Sequence, residues 1–138
     1  MAKDRFHQVV KTALVKEGWH ITQDPLQLKV GGVDMEIDLG AERLIAAERE
    51  SEKIAVEVKS FLASASAISE FHTALGQFIN YRAALHQTEP DRVLYLAVPD
   101  LAYNDFFQRD FPASMLRDYE VKLIVYAIDL EKIVQWKL

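Results

Sequence analysis

Three side chains stand where they can do chemistry together: Glu57, Lys59 and an upstream acid, for which Asp38 is the leading candidate. In Ile54-Ala55-Val56-Glu57-Val58-Lys59 the period is two. A strand there puts Ile54, Val56 and Val58 on one face and Ala55, Glu57 and Lys59 on the other. Asp34-Met35-Glu36-Ile37-Asp38-Leu39 alternates likewise, with Met35, Ile37 and Leu39 opposite three acids. If both strands belong to one sheet, the Asp38 and Glu57 carboxylates converge. Two hard carboxylate oxygens, completed by water and a substrate phosphate, suffice for Mg²⁺ or Mn²⁺, because Mg²⁺ seldom needs a full protein cage. Such an ion lowers the pKa of a bound water and neutralises a phosphoryl transition state. Lys59 beside it orients that water or stabilises developing negative charge. The plainer alternative is a solvated strand face with a weak ion pair, and an acidic strand at an exposed sheet edge.

The elements that position these groups follow from periodicity and punctuation. Asp4 to Glu17 carries Phe6, Val9, Val10, Ala13 and Leu14 at helical spacing, with Asp4 near its start and Gly18 past its end. A turn at Asp24-Pro25 precedes short runs at Leu26–Val30, Val33–Leu39, Arg43–Glu48 and Lys53–Lys59, with turns at Gly31-Gly32 and Arg49–Glu52. A long helix is expected over Ser66–His86, its inner face marked by Ile68, Phe71, Leu75, Phe78, Ile79 and Arg82, with Ser66 or Ser64 as N-cap. Beside that face runs a polar stripe, Glu70, Thr73, Gln77 and Tyr81. Arg92–Val98 and Val121–Ile128 read as buried strands, Leu101–Arg117 as short helices interrupted at Pro112, and Ile133–Trp136 as a short terminal strand. Meander plus β-α-β crossover gives an α/β fold: a mixed sheet flanked by helices, in one domain over residues 1–138.

Composition narrows the function classes. With 138 residues, half of them hydrophobic, the chain can bury a real core. It has no cysteine, which excludes thiol catalysis and Cys-based zinc sites. No apolar run reaches the roughly 20 residues that span a bilayer, and no signal-peptide pattern opens the chain, so a cytoplasmic location away from membranes is expected. The net charge of −5 argues against a tight, free-standing nucleic-acid binder, yet allows an enzyme that touches DNA briefly or with a basic partner. His7, His20, His72 and His86 show no metal-ligand spacing and read as surface or boundary residues; His7 is the one whose helix would pack near the site. Trp19 and Trp136 read as core or interface, and Phe106, Phe107, Phe111 and Met115 as core or as a patch for a partner.

The unit of acid, hairpin, Glu-x-Lys strand and long helix resembles the PD-(D/E)xK nuclease superfamily, here as Asp38, eighteen intervening residues, then Glu57-Val58-Lys59. The resemblance implies a restriction-endonuclease-like core in the order α-β-β-β-α-β, with Asp38 and Glu57 as metal ligands for Mg²⁺ or Mn²⁺ and Lys59 as catalytic partner. Gln77-Phe78-Ile79-Asn80-Tyr81 matches a Gln-x-x-x-Tyr pair that lines the site in several subfamilies, implying a role for Gln77 with Tyr81 as accessory. Two departures stand out. The long gap, with Gly40-Ala41-Glu42 inserted, leaves Glu42 or Glu48 open as the upstream acid. The superfamily's helix-one Glu has no equivalent among Asp4, His7 and Lys11.

Nearly end to end, the chain is similar to the XisH family of fdxN-element excision controlling factors of cyanobacterial type. The likeness is carried by Phe6-His7, Gly18-Trp19, Thr22 to Pro25, Gly40-Ala41-Glu42, Leu44 to Glu48, Ile54 to Phe61 and Val134-Gln135-Trp136. It implies a nuclease-like fold, a role in controlled excision of a DNA element, and a small XisI-type partner protein. Three functional readings follow: a metal-dependent DNA endonuclease, an inactive regulatory subunit acting through its partner or as a homo-oligomer, and a defence or toxin-like nuclease.

Overall fold

The computed structural model describes residues 2–45, 50–62 and 66–138. Helix α1 (Ala2–Lys16) is followed by β1 (His20–Gln23), β2 (Leu26–Val30), β3 (Val33–Ile37), β4 (Leu39–Ile45) and β5 (Glu50–Val58). Helix α2 (Ala67–Thr88) leads to β6 (Arg92–Pro99), α3 (Asp100–Asn104), a 3-10 turn (Phe106–Gln108) and α4 (Asp110–Asp118). Strands β7 (Leu123–Ala127) and β8 (Lys132–Lys137) close the chain.

One sheet runs β1-β4-β5-β6-β7-β8, and β2-β3 form a separate two-stranded ribbon. Strands β5, β6 and β7 are mutually parallel, and the remaining pairs of the large sheet are antiparallel. Setting the ribbon aside, the order is α1, β1, β4, β5, α2, β6, the expected α-β-β-β-α-β. The ribbon turns on Gly31 and Gly32 at φ +56° and +81°, left-handed values that glycine adopts without strain and that a two-residue hairpin needs.

Two apolar layers sandwich the sheet. On one face α1 buries Phe6, Val10 and Leu14 against Leu39, Ile54, Val56 and Tyr126. On the other, α2 buries Phe71, Ala74, Phe78 and Leu85 against Ala55, Leu94, Leu96 and Val125, joined by Leu26, Leu28 and Ile37 of the ribbon. Phe106 and Phe107 complete this second layer, and Met115 packs against it, whereas Phe111 stays 57% exposed. Trp19 is buried on the α1 face, stacked at 6.0 Å on Trp136. Ser66 caps α2, its Oγ accepting from the Ser69 N–H; Ser64 lies outside the described residues.

Four expectations need correction. The run Val33–Leu39 is not one strand: it breaks at Asp38, and Gly40-Ala41-Glu42, expected as an insertion, belongs to β4. The Arg49–Glu52 turn is displaced, because Glu50 to Glu52 already lie in β5; Arg49 lies outside the described residues. Pro112 does not interrupt a helix but sits in the first turn of α4, where a missing N–H costs nothing because that amide has no intrahelical partner. Ile68 is 41% exposed rather than on the inner face of α2, whose buried stripe is Phe71, Ala74, Phe78 and Leu85.

Candidate functional site

The alternation over Ile54 to Lys59 is realised. Ile54, Val56 and Val58 pack on the α1 side, while Ala55 joins the α2 core. Glu57 therefore projects from β5 into the α2 layer, where its residue surface is only 6% exposed. Lys59 follows on the same side, with its Nζ 3.6 Å from Glu57 Oε2. The backbone of Lys59 is fixed from two neighbouring strands: its N–H donates to Ala97 O of β6, and its carbonyl accepts the Tyr126 hydroxyl of β7, both at 2.9 Å. Burial pushes the Tyr126 hydroxyl's pKa far up, so it stays a donor.

Asp38 stands at the bend between β3 and β4, where the chain leaves the ribbon and enters the large sheet. Ile37 packs in the α2 layer and Leu39 in the α1 layer, so the two neighbours that strand alternation would place together are on opposite sides. Reciprocal hydrogen bonds hold the bend. Asp38 Oδ2 accepts from the Val58 N–H at 2.8 Å, and Glu57 Oε1 accepts from the Asp38 N–H at 3.1 Å. Glu57 Oε1 is thus committed to the backbone of Asp38 and Asp38 Oδ2 to the backbone just after Glu57, while Glu57 Oε2 faces the Lys59 ammonium.

The two carboxyls lie within hydrogen-bonding reach of each other. Burial first, then the adjoining Asp38 charge, raises the Glu57 pKa from its ordinary 4.5 to about 7. A second negative charge beside the first is costly, and a proton on Glu57 or a cation at the pair relieves that cost. Tyr81 of α2 faces the same point: burial, followed by the charges of Glu57, Asp38 and Glu36, pushes its hydroxyl up to about 12. One turn earlier on that helix, Gln77 Oε1 is buried without a hydrogen-bond partner. Paired hard oxygens and an orphaned amide oxygen fit a divalent cation of the Mg²⁺ type, to be completed by water and substrate. Among the described residues no group of three or more His, Cys, Asp and Glu side chains forms a fuller cage.

Other candidates are placed elsewhere. Glu42 pairs in register with Lys53, near the opposite end of β5 from Glu57, and its carboxylate lies 3.7 Å from the buried Arg92 guanidinium. Glu48 lies outside the described residues; among those described, Asp38 is the upstream acid that meets Glu57. His7 is engaged by Asp24, its Nε2 2.8 Å from Oδ1, and Lys11 holds the other oxygen at 2.7 Å. Its helix packs on the α1 side of the sheet, away from the face carrying Glu57.

Tyr126 escaped the sequence reading, and Glu70 was read only as part of the polar stripe on α2. Tyr126 sat in a run read only as a buried strand, and nothing local marks its hydroxyl as a clamp on Lys59. Glu70 accepts the Phe61 N–H at 3.0 Å, which pins the exit from β5. Phe61 there has φ +47°, a left-handed conformation that is strained for a bulky residue. Its ring lies 5.0 Å from Phe107 and 6.1 Å from Phe106, contacts that offset the strain.

Comparison with known proteins agrees over nearly the whole length. The family model described as XisH protein matches residues 1–134. A crystal structure of an XisH family protein from Nostoc punctiforme shares 58% identity over 98% of this chain and 100% of its own, with a TM-score of 0.90. That of an fdxN element excision controlling factor protein from Anabaena variabilis also shares 58% identity, over 98% of this chain and 99% of its own, with a TM-score of 0.90. No curated protein matches. Family model, identity and superposed fold agree: this chain belongs to the XisH family.

Proposed function

We propose that this protein controls excision of a DNA element and does so through a metal-dependent, phosphodiester-directed site centred on Asp38 and Glu57. The excision role is supported by the relative from Anabaena variabilis, described as an fdxN element excision controlling factor. The observation that carries the chemistry is the meeting of two carboxyls, Glu57 tied to the backbone N–H of Asp38 and Asp38 to that of Val58.

Asp38 and Glu57 would hold Mg²⁺ or Mn²⁺ between them. The ion, when bound, supplies a water of lowered pKa and neutralises charge on the phosphoryl group. Lys59 donates to the attacking water or to a non-bridging phosphate oxygen, and its anchored backbone keeps that ammonium in place. Gln77 and Tyr81 donate hydrogen bonds from α2 to the same substrate group. Water adds to phosphorus and gives up a proton to solvent, the bond to the leaving deoxyribose oxygen breaks, and that oxygen takes up a proton from solvent.

A second reading, a non-catalytic subunit working through an XisI-type partner, is favoured by the engagement of His7 with Asp24, which leaves α1 contributing no acid or base to the carboxylates. One assay separates the two. Purified protein, alone and with the partner, is incubated with duplex and branched DNA plus Mg²⁺ or Mn²⁺. Metal-dependent cleavage lost in Glu57→Ala and Lys59→Ala supports the enzyme. Cleavage that survives both substitutions places the chemistry elsewhere, and a stable complex without cleavage supports the regulatory subunit.

A further inference from the structure

A cavity of about 980 Å³ opens on the α2 face of the sheet, far from the two carboxyls. Its walls are the C-terminal half of α2, α4, and the starts of β6 and β7, with Leu138 at its edge. Helix α2 is a shared partition. Tyr81 turns toward Glu57 and Asp38, whereas Phe78, Arg82, Leu85 and His86 line the cavity.

The charge of this cavity runs against that of the protein. The chain is net −5, yet the lining carries Arg82, His86, Arg92, Arg117, Lys122 and Lys137, with Glu120 the single acid among the described residues. Two of these cations have local duties. Arg92 is buried and meets Glu89 and Glu42, and Arg82 donates to the carbonyls of Tyr119 and Glu120 at 2.8 and 3.1 Å, which neutralises the end of α4. Arg117 meets only the exposed Asp118, at 3.8 Å. Lys122 and Lys137 enter no ion pair among the described residues. Between the cations the lining is apolar, with Leu94, Leu116, Leu123 and the ring of Tyr103.

We infer that this cavity binds a nucleoside polyphosphate, its phosphates held by Arg117 and Lys137 and its base lying on the apolar lining beside Tyr103. The volume lies within the roughly 300–1,000 Å³ of small-molecule sites. Several cations in one cavity match a compact polyanion better than an isolated carboxylate, and guanidinium pairs well with phosphate oxygens. A duplex is too wide to enter between two helices, and a bare inorganic anion leaves the apolar lining unused.

The test is titration of the whole protein with ATP in the absence of divalent metal, followed by calorimetry and by amide NMR shifts. Saturable binding is expected, with shifts concentrated at Leu94, Val121 and Lys122. Reversing the exposed lysine in Lys137→Glu is expected to weaken binding by about tenfold, and removing its charge in Lys137→Ala by less. Glu57→Gln is expected to leave ATP affinity unchanged, which separates this site from the carboxylate pair. Inorganic tripolyphosphate should bind more weakly than ATP. No saturable binding, shifts confined to residues around Glu57, unaltered affinity in the lysine variants, or tripolyphosphate binding as tightly as ATP would each overturn the assignment.

Discussion

Glu57 is the residue on which proton, metal and stability meet. Its pKa is raised to about 7, above an ordinary 4.5, so between those values the folded protein carries a proton that the unfolded chain has lost. Stability of the metal-free protein therefore falls as pH rises through that interval and levels off above it, by about 3 kcal/mol. Glu57→Gln keeps the shape without the charge. Its thermal unfolding, measured without metal, should lie above that of the parent at pH 8 and near it at pH 5. Metal affinity has the opposite slope, since the ion competes with the proton and binds more tightly as pH passes about 7. Lys59 divides differently. Lys59→Ala removes no metal ligand, so calorimetry should show metal affinity kept within severalfold while DNA cleavage falls by about a hundredfold or more, as when one charge-stabilising donor is lost. The face shared by Glu57 and Lys59 was legible in the sequence because strand alternation is local geometry. Why Asp38 rather than Glu42 meets Glu57 was not, because a buried arginine, Arg92, takes Glu42 from 50 residues along the chain.

At the scale of elements, α2 and the bend at Asp38 do the positioning. The bend lacks any glycine or proline signal, and alternation through Val33–Leu39 argued for a continuous strand. The break is imposed at long range by the hydrogen bonds between Asp38 and β5, which pattern reading within one segment does not contain. The opposite holds for α2, where Ser66 as cap and the stripe through Gln77 and Tyr81 were readable, and only the phase of the buried face shifted. Two substitutions separate stability from chemistry on this helix. Ser66→Ala removes the cap and should cost about 1 kcal/mol in denaturant unfolding, with no change in metal affinity. Phe78→Ala empties a fully buried position between α2 and the sheet and should cost about 3–5 kcal/mol, lowering the unfolding midpoint and loosening the wall that carries Tyr81. Equal losses in the two variants would show that the packing assigned to α2 is wrong.

The whole molecule places its carboxylate pair at the C-terminal end of β5, the first of the three parallel strands, with an apolar layer on each side of the sheet. No helix of the described residues is long and apolar enough to cross a membrane. Its charge opposes DNA: 21 acids against 16 basic residues give no net attraction for phosphate. Binding of the isolated protein to duplex DNA, read by fluorescence anisotropy, should therefore be weak, with Kd on the order of 10⁻⁴ M or above at physiological salt, and should tighten when a basic partner is added. The central claim, that Asp38 and Glu57 form a divalent-metal site, is met most directly by calorimetric titration of Mn²⁺ into the parent protein and into Glu57→Ala at pH 8. One saturable site in the parent that disappears in Glu57→Ala, while the variant stays folded, is the predicted result. A site that persists in Glu57→Ala, or a folded parent that binds no Mn²⁺, would contradict it.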